Sequence, residues 1–431
     1  MKILIRNGVV CDPQNKFEKK ADLLIENGKI RSIGKILPAR ARGVRTIDAR
    51  NRMVVPGLID IHCHLREPGR EDEETIRTAT RAAVKGGFTS ICSMPNTQPV
   101  IDSVSGVKFV LETARQEGVV NVFPVGAITK GSLGQELASI GKMKQAGIIA
   151  ISDDGHPVMN AVIMRRALEY CKMFDIPVIS HCEDTNLSQN GEMNEGYIST
   201  VLGLKGIPRQ AEEIMVARDI ALAELTGGRL HIAHISTARS VDLVRHAKKS
   251  GIRVTAETAP HYFSLTEELV KASNYNTNTK INPPLRTKKD VEAIKRGLKD
   301  NSIDCIASDH APHLAEEKDQ EYKTAPFGII GLETTLPLVI TYLVNNGKLT
   351  LRDALMKLSV NPARILNLKK GNLSPGSDAD VTILNLKETR TIERFESMSR
   401  NSPFLGMKLT GFADGTIVGG KVVMLNSKLL V

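Results

Sequence analysis

The chain has 431 residues, 41% of them hydrophobic and 25% charged, and a net charge of +10. That length fits one large domain with a smaller companion, and that balance excludes a disordered or collagen-like chain. No apolar run reaches the roughly 18 residues of a membrane-spanning helix, the N-terminus Met1-Lys2-Ile3-Leu4-Ile5-Arg6 lacks the apolar length of a signal peptide, and the lysines and arginines are dispersed, with only 4% aromatics.

These features predict no membrane and no nucleic-acid partner; the basic surface suits a small anionic substrate. Six scattered cysteines without a CxxC pair predict reduced, buried thiols and a cytoplasmic location.

From the N-terminus, short apolar runs are broken by Asn7-Gly8 and Asn27-Gly28, which are hairpin signals. The C-terminal end has the same texture at 378–384 and 415–423. Neither end carries enough apolar residues for a core of its own. The expectation is one small β-sandwich domain built from 1–54 plus 368–431.

Between them, 55–367, strand-length apolar runs alternate with segments of helical spacing. The runs fall at 58–62, 88–94, 119–128, 147–152, 177–181, 230–234, 253–256 and 304–307. The helical segments fall at 73–85, 107–117, 135–145, 161–173, 210–225, 238–249 and 289–298. Alternation on this scale predicts an α/β fold of the (β/α)8 barrel type. An open doubly wound sheet would want a glycine-rich loop after its first strand. Here that place holds His62-Cys63-His64-Leu65-Arg66.

Side chains alternate along a strand, so His62 and His64 share a face and can grip one metal ion. Other predicted strands end in Met94-Pro95-Asn96, Ser152-Asp153-Asp154-Gly155, His181-Cys182-Glu183-Asp184, His234-Ile235-Ser236 and Ser308-Asp309-His310-Ala311-Pro312-His313. In such a barrel these ends converge on one mouth. Imidazoles and carboxylates are the ligand set of a catalytic divalent ion, and either Asp153 or Asp154 could bridge two ions by chemistry alone.

These segments, with His62-Cys63-His64-Leu65-Arg66-Glu67-Pro68-Gly69 and Ala325-Pro326-Phe327-Gly328, resemble the long-form dihydroorotases of the cyclic amidohydrolase superfamily over almost the whole chain. The resemblance implies zinc, one or two ions per subunit, with His62, His64 and Asp309 on the first, His181 and His234 on the second, and Asp154 as the bridge. Many relatives use a carbamylated lysine there; no lysine stands at that position, and Lys144 lies upstream. The implied reaction is reversible cyclisation of N-carbamoyl-L-aspartate to dihydroorotate in pyrimidine synthesis. A metal-activated hydroxide would be the nucleophile and Asp309 the general acid and base. Arg66, Asn96 and His313 would bind the ring carboxylate, and Asn282 the ring. A homodimer, and aspartate transcarbamoylase as a possible partner, are the implied assemblies.

His231 has opposite parity to His234 and is expected to face the helices, as His310 is expected to turn away from Asp309. His246 and His156 read as surface residues, His261 as a residue behind the site, and Lys130 as a lysine at the mouth. The charged segment 314–325 has no apolar periodicity and is expected to close over substrate or pack on a partner. Two rivals stand beside the main reading. One is a hydantoinase, dihydropyrimidinase or allantoinase; the other is a non-catalytic scaffold for aspartate transcarbamoylase.

Overall fold

A computed structural model describes residues 2–35 and 43–431. The N-terminal strands are β1 (Lys2–Arg6), β2 (Val9–Asp12), β3 (Phe17–Lys20), β4 (Asp22–Glu26), β5 (Lys29–Gly34), β6 (Val44–Asp48) and β7 (Met53–Pro56). Asn27-Gly28 closes the hairpin between β4 and β5, with both residues at positive φ. Asn7-Gly8 does not close one. β1 pairs with β4 and β6, whereas β2 pairs with β3 and β7 in another sheet. The bend carries the chain across, and a Cβ on Gly8 would stand 2.9 Å from Val54 Cγ2.

The barrel strands are β8 (Leu58–Cys63), β9 (Phe88–Ser93), β10 (Asn121–Gly126), β11 (Ala150–Ser152), β12 (Val178–Ser180), β13 (Leu230–Ile232), β14 (Val254–Thr258) and β15 (Cys305–Ile306). Each pairs in parallel with the next, in sequence order. The seam between last and first closes through Asp60, whose Oδ1 accepts the Ser308 N–H at 3.1 Å, and through a parallel bridge of Cys63 with His310. Ile59, Ile61, Val125, Ala150, Ile179, Ala233 and Cys305 fill the interior, as layered barrels require.

Outside lie α1 (Ile76–Gly86), α2 (Val104–Glu117), α3 (Ile140–Ala146), α4 (Ala161–Cys171), α5 (Gln210–Thr226), α6 (Ala238–Lys249), α7 (Lys288–Lys299) and α8 (Leu332–Val339). Several start at a side-chain cap: Thr75, Asn160, Thr237 and Thr287 each accept a backbone N–H of the first turn. The helix expected at 135–145 begins only at Ile140, because Thr129–Leu137 forms an isolated bridge in the preceding loop.

The chain ends in β16 (Val381–Thr391), β17 (Lys408–Val418), β18 (Lys421–Leu425) and β19 (Lys428–Leu429), which join β7, β2 and β3 in one sheet. Ile3, Ile5, Leu23 and Ile25 from the N-terminal stretch pack with Val381, Ile383 and Ile417 in a single apolar cluster. All six cysteines are free and buried. Among the described residues no helix is long and apolar enough to cross a membrane.

Candidate active site

Three residues at the barrel mouth have left-handed backbone: Arg66 (φ 63), His234 (φ 29) and Asp309 (φ 50). Non-glycine residues pay for this conformation, and it persists where surroundings over-determine it, commonly at functional sites. Each follows the end of a barrel strand, where the backbone must turn to aim a side chain at the axis.

Asp154 lies at the centre. Its Oδ2 is 3.1 Å from His62 Nε2 and 3.5 Å from His64 Nε2; its Oδ1 is 3.1 Å from His234 Nε2 and 3.4 Å from His181 Nδ1. Asp309 Oδ1 stands 3.6 Å from His62 Nε2 and 3.5 Å from His64 Nε2. All are buried. Asp153 belongs elsewhere: its Oδ1 accepts the N–H groups of Ile128 and Thr129, and its Oδ2 the Thr129 hydroxyl.

The ligand-type atoms of His62, His64 and Asp309, and separately of His62, Asp154 and His234, lie close enough together to hold an ion. The buried His62 Nε2 has no hydrogen-bond partner, although Asp154 is near. Burial disfavours charge on these rings, but Asp154 and Glu257 nevertheless push His62 well above its ordinary value. Burial likewise opposes His181, which Asp154 and Glu183 push up to about 10. Asp154 is held well below the carboxylate range, against burial, by the charge of His62 and by the closeness of the His181, His234 and His62 rings. A field that favours protons on rings favours a divalent cation in their place, so this donor set fits a metal centre.

Two carboxylates that the sequence reading missed orient these ligands. Glu257, on β14, meets His62 Nδ1 through Oε1 at 2.5 Å. Glu183 Oε2 meets His181 Nε2 at 2.9 Å and accepts from Asn282 Nδ2 at 2.9 Å. Such partners fix ring tautomer and direction. The signal for Glu257 was a lone carboxylate in an apolar barrel strand, Val254-Thr255-Ala256-Glu257-Thr258.

The residues expected to bind substrate line the same mouth. Arg66 Nη2 is 3.4 Å from His313 Nε2, and Arg66 Nε donates to the Pro312 carbonyl at 3.0 Å. Asn96 Oδ1 is 2.7 Å from His64 Nδ1, so Asn96 also orients a ligand-type histidine. Gly155 (φ 88) lets Asn96 approach: a Cβ there would meet Asn96 Nδ2 at 3.0 Å. A cleft of ≈ 430 Å³ opens beside Glu183, walled by Glu192, Lys280, Lys323 and Phe327.

Residues 51–240 match a family model described as dihydro-orotase-like. A curated dihydroorotase of Endomicrobium trichonymphae is 55% identical over 426 residues, covering 98% of this chain and 99% of that protein. One of Pelotomaculum thermopropionicum is 57% identical over 427 residues, again 98% and 99%. The chain belongs to the dihydroorotase family. Among solved structures, an L-hydantoinase (dihydropyrimidinase) of Arthrobacter aurescens superposes with a TM-score of 0.90 at 26% identity, covering 100% of this chain and 97% of that one. A dihydropyrimidinase of Brevibacillus agri gives 0.87 at 25% identity, with 100% and 96% coverage. The ring-hydrolase rivals thus share the fold, while the dihydroorotases share about twice the sequence.

Within this dihydroorotase-family barrel the remaining histidines divide. His231 does not face the helices: its Nε2 is 3.3 Å from Glu257 Oε2, inside the barrel. Parity counting failed because His234 lies past the end of β13, where its positive φ turns the backbone off the strand. His310 turns away from Asp309 as expected, with Nδ1 accepting the Gly331 N–H and Nε2 3.4 Å from Glu74. His261 is buried with Nε2 unpartnered, and burial pushes it down to about 4 despite the charge of Asp309. Lys130 pairs with Glu136 on the surface at 2.7 Å, and Lys144 Nζ donates to the Ile148 carbonyl, outside the site.

Proposed function

We propose that this chain catalyses the reversible cyclisation of N-carbamoyl-L-aspartate to dihydroorotate and water. The observation that carries the reading is a buried His–Asp centre sharing its mouth with Arg66 and His313, a pair suited to a ring carboxylate. His62, His64 and Asp309 would hold one ion and His181 and His234 a second, bridged by Asp154; zinc fits these donors, in one or both positions. When bound, such ions supply Lewis acidity toward a carbonyl and an acidified water.

In hydrolysis, the water oxygen adds to the ring amide carbonyl carbon and the ring C–N bond breaks. Asp309 takes the water proton and returns it to the leaving ring nitrogen. The two transfers are sequential, so one carboxylate serves both. Burial works against an ionised Asp309, but its bond to His64 and the charges of His62 and His234 hold it below the usual range, ready to accept. Arg66, Asn96 and His313 bind the ring carboxylate, and Asn282, held by Glu183, meets the ring. Cyclisation runs the same path in reverse.

The free, buried cysteines agree with a cytoplasmic location. We assign 55–367 as the catalytic domain and 1–54 with 368–431 as the sandwich; β7 carries the strand across that boundary. A homodimer is the assigned assembly and aspartate transcarbamoylase a candidate partner; light scattering of the chain alone and mixed with it reads both.

The decisive test is turnover by metal-loaded protein of dihydroorotate beside hydantoin, dihydrouracil and allantoin. Turnover of dihydroorotate, abolished in Asp309→Asn and weakened in Arg66→Ala, is expected. Preference for an uncharged ring would reject the clamp.

A further inference from the structure

Arg66 and His313 do not stand alone. Arg66 is strained in its backbone and its side chain is only 12% exposed, so its charge needs a partner before any substrate arrives. Glu73, 2% exposed, is that partner: its Oε2 lies 2.9 Å from Arg66 Nε. Its other oxygen, Oε1, meets His313 Nδ1 at 3.0 Å. One carboxylate therefore holds both groups. Away from it, Arg66 Nη2 lies 3.4 Å from His313 Nε2.

The network continues outward. Arg70 Nη2 is 3.2 Å from Glu73 Oε1 and 2.6 Å from Glu317 Oε1. Glu317 belongs to the helical turn Ala315–Lys318, at the start of the segment expected to cover the site. Just past the far end of that segment the chain is held too: His313 Nε2 meets the Phe327 carbonyl at 2.8 Å. Both ends of 314–327 are thus fastened to the residues that would take the substrate carboxylate.

A cation site is the rival explanation, since ligand-type atoms of Glu73, His313 and Glu317 converge. Arg66 and Arg70 already sit on those carboxylates and oppose a further cation.

We propose that Glu73 is a positioning residue for the substrate carboxylate, and that Arg70–Glu317 extends it to 314–327, so that clamp and cover close as one unit. The inference rests on Arg66 and His313 being the carboxylate clamp.

The experiment is dihydroorotate hydrolysis by the full, metal-loaded chain, with hydrogen exchange of 314–327 measured with and without dihydroorotate. Glu73→Gln raises KM about tenfold, the size of one lost charge-assisted interaction, while kcat moves less than about threefold. The same variant loses the protection that dihydroorotate gives 314–327 in the parent. Glu317→Gln and Arg70→Gln raise basal exchange there and raise KM about threefold, as for a more exposed pair. KM within twofold of the parent in Glu73→Gln, or kcat falling with KM unchanged, overturns the proposal. If Glu73→Gln does not fold, Arg70→Gln decides: unchanged KM with unchanged exchange overturns it. Arg66→Ala is the separate control. If it leaves KM alone, the clamp reading fails; if it raises KM and Glu73→Gln does not, only this inference fails.

Discussion

Asp153 and Asp154 are neighbours in the chain, yet their carboxylates serve different structures. Asp153 Oδ1 accepts the N–H of Ile128 at 2.8 Å and of Thr129 at 3.0 Å, while Asp154 reaches His62 and His234 at 3.1 Å each. The divergence follows from strand alternation at the end of β11. Burial raises the Asp153 carboxyl despite its bonds to Thr129 and Ile128; the Asp154 carboxyl is driven well below its ordinary range.

Asparagine substitution separates the two. Asp154→Asn is expected to lower turnover more than about a hundredfold, beyond the 10–100-fold typical of a residue behind the ligands, and to lose bound metal. Asp153→Asn keeps its metal but loses about 1–3 kcal/mol of stability, because an amide cannot accept all three bonds. Metal content and melting temperature, measured on both, check this. Equal metal loss in the two would reject the division.

Glu257 touches no predicted ligand atom that would face an ion, only the far nitrogen of His62. Its carboxyl is driven down to about 2, against burial, by the charge of His62 and a bond to His231. Glu257→Gln is expected to weaken metal affinity about 10–100-fold while leaving KM near the parent value once metal is saturating. Competition with a chelating dye reads the first and saturation kinetics the second. Unchanged affinity would mean that packing alone orients His62.

What could be read in the sequence follows from range. His62 and His64 were legible because alternation is local, and the strand ends were legible because glycine and polar residues punctuate apolar runs. Asp154 over Asp153 was not, since either fits the chemistry; only the resemblance chose. Glu257 and Glu73 were missed because residues they hold, His62 and His313, lie far away in sequence, His62 on the first barrel strand and Glu257 on the seventh; Glu183, two residues from His181, shares its face by local alternation but was given no role. Asn7-Gly8 has hairpin chemistry, but sheet pairing overrode it. The segment 314–325 lacks periodicity, yet Lys318 and Tyr322 are buried, Tyr322 in a small cluster with Met193 and Val270.

Removal of metal should cost stability as well as activity. A site that binds only in the folded state adds about 2.7 kcal/mol at a free concentration 100 times its Kd. Chelated protein is therefore expected to melt lower, and to recover on adding zinc, cobalt or manganese, since His/Asp sites accept all three. Calorimetry with and without chelator checks it. An identical melting temperature would show that the buried His–Asp centre is stable without an ion.

The covering segment should respond to pH through Lys318. Burial, with Lys280 nearby, pushes this lysine down from 10.5 to about 7. Its Nζ donates to the carbonyls of Pro326 at 2.8 Å and Gly328 at 3.1 Å, so docking the segment requires that burial. The undocked lysine takes a proton more readily than the docked one. Docking is therefore strongest above 10.5, weakens as pH falls, and levels off below about 7. Cleavage of the segment by trypsin, normalised to an unstructured peptide of the same sequence, is expected to slow several-fold between pH 7 and about 9.5. Lys318→Met removes the titrating group, and its normalised cleavage should be flat over that range. A slope in the variant equal to the parent's would assign the pH response to another group.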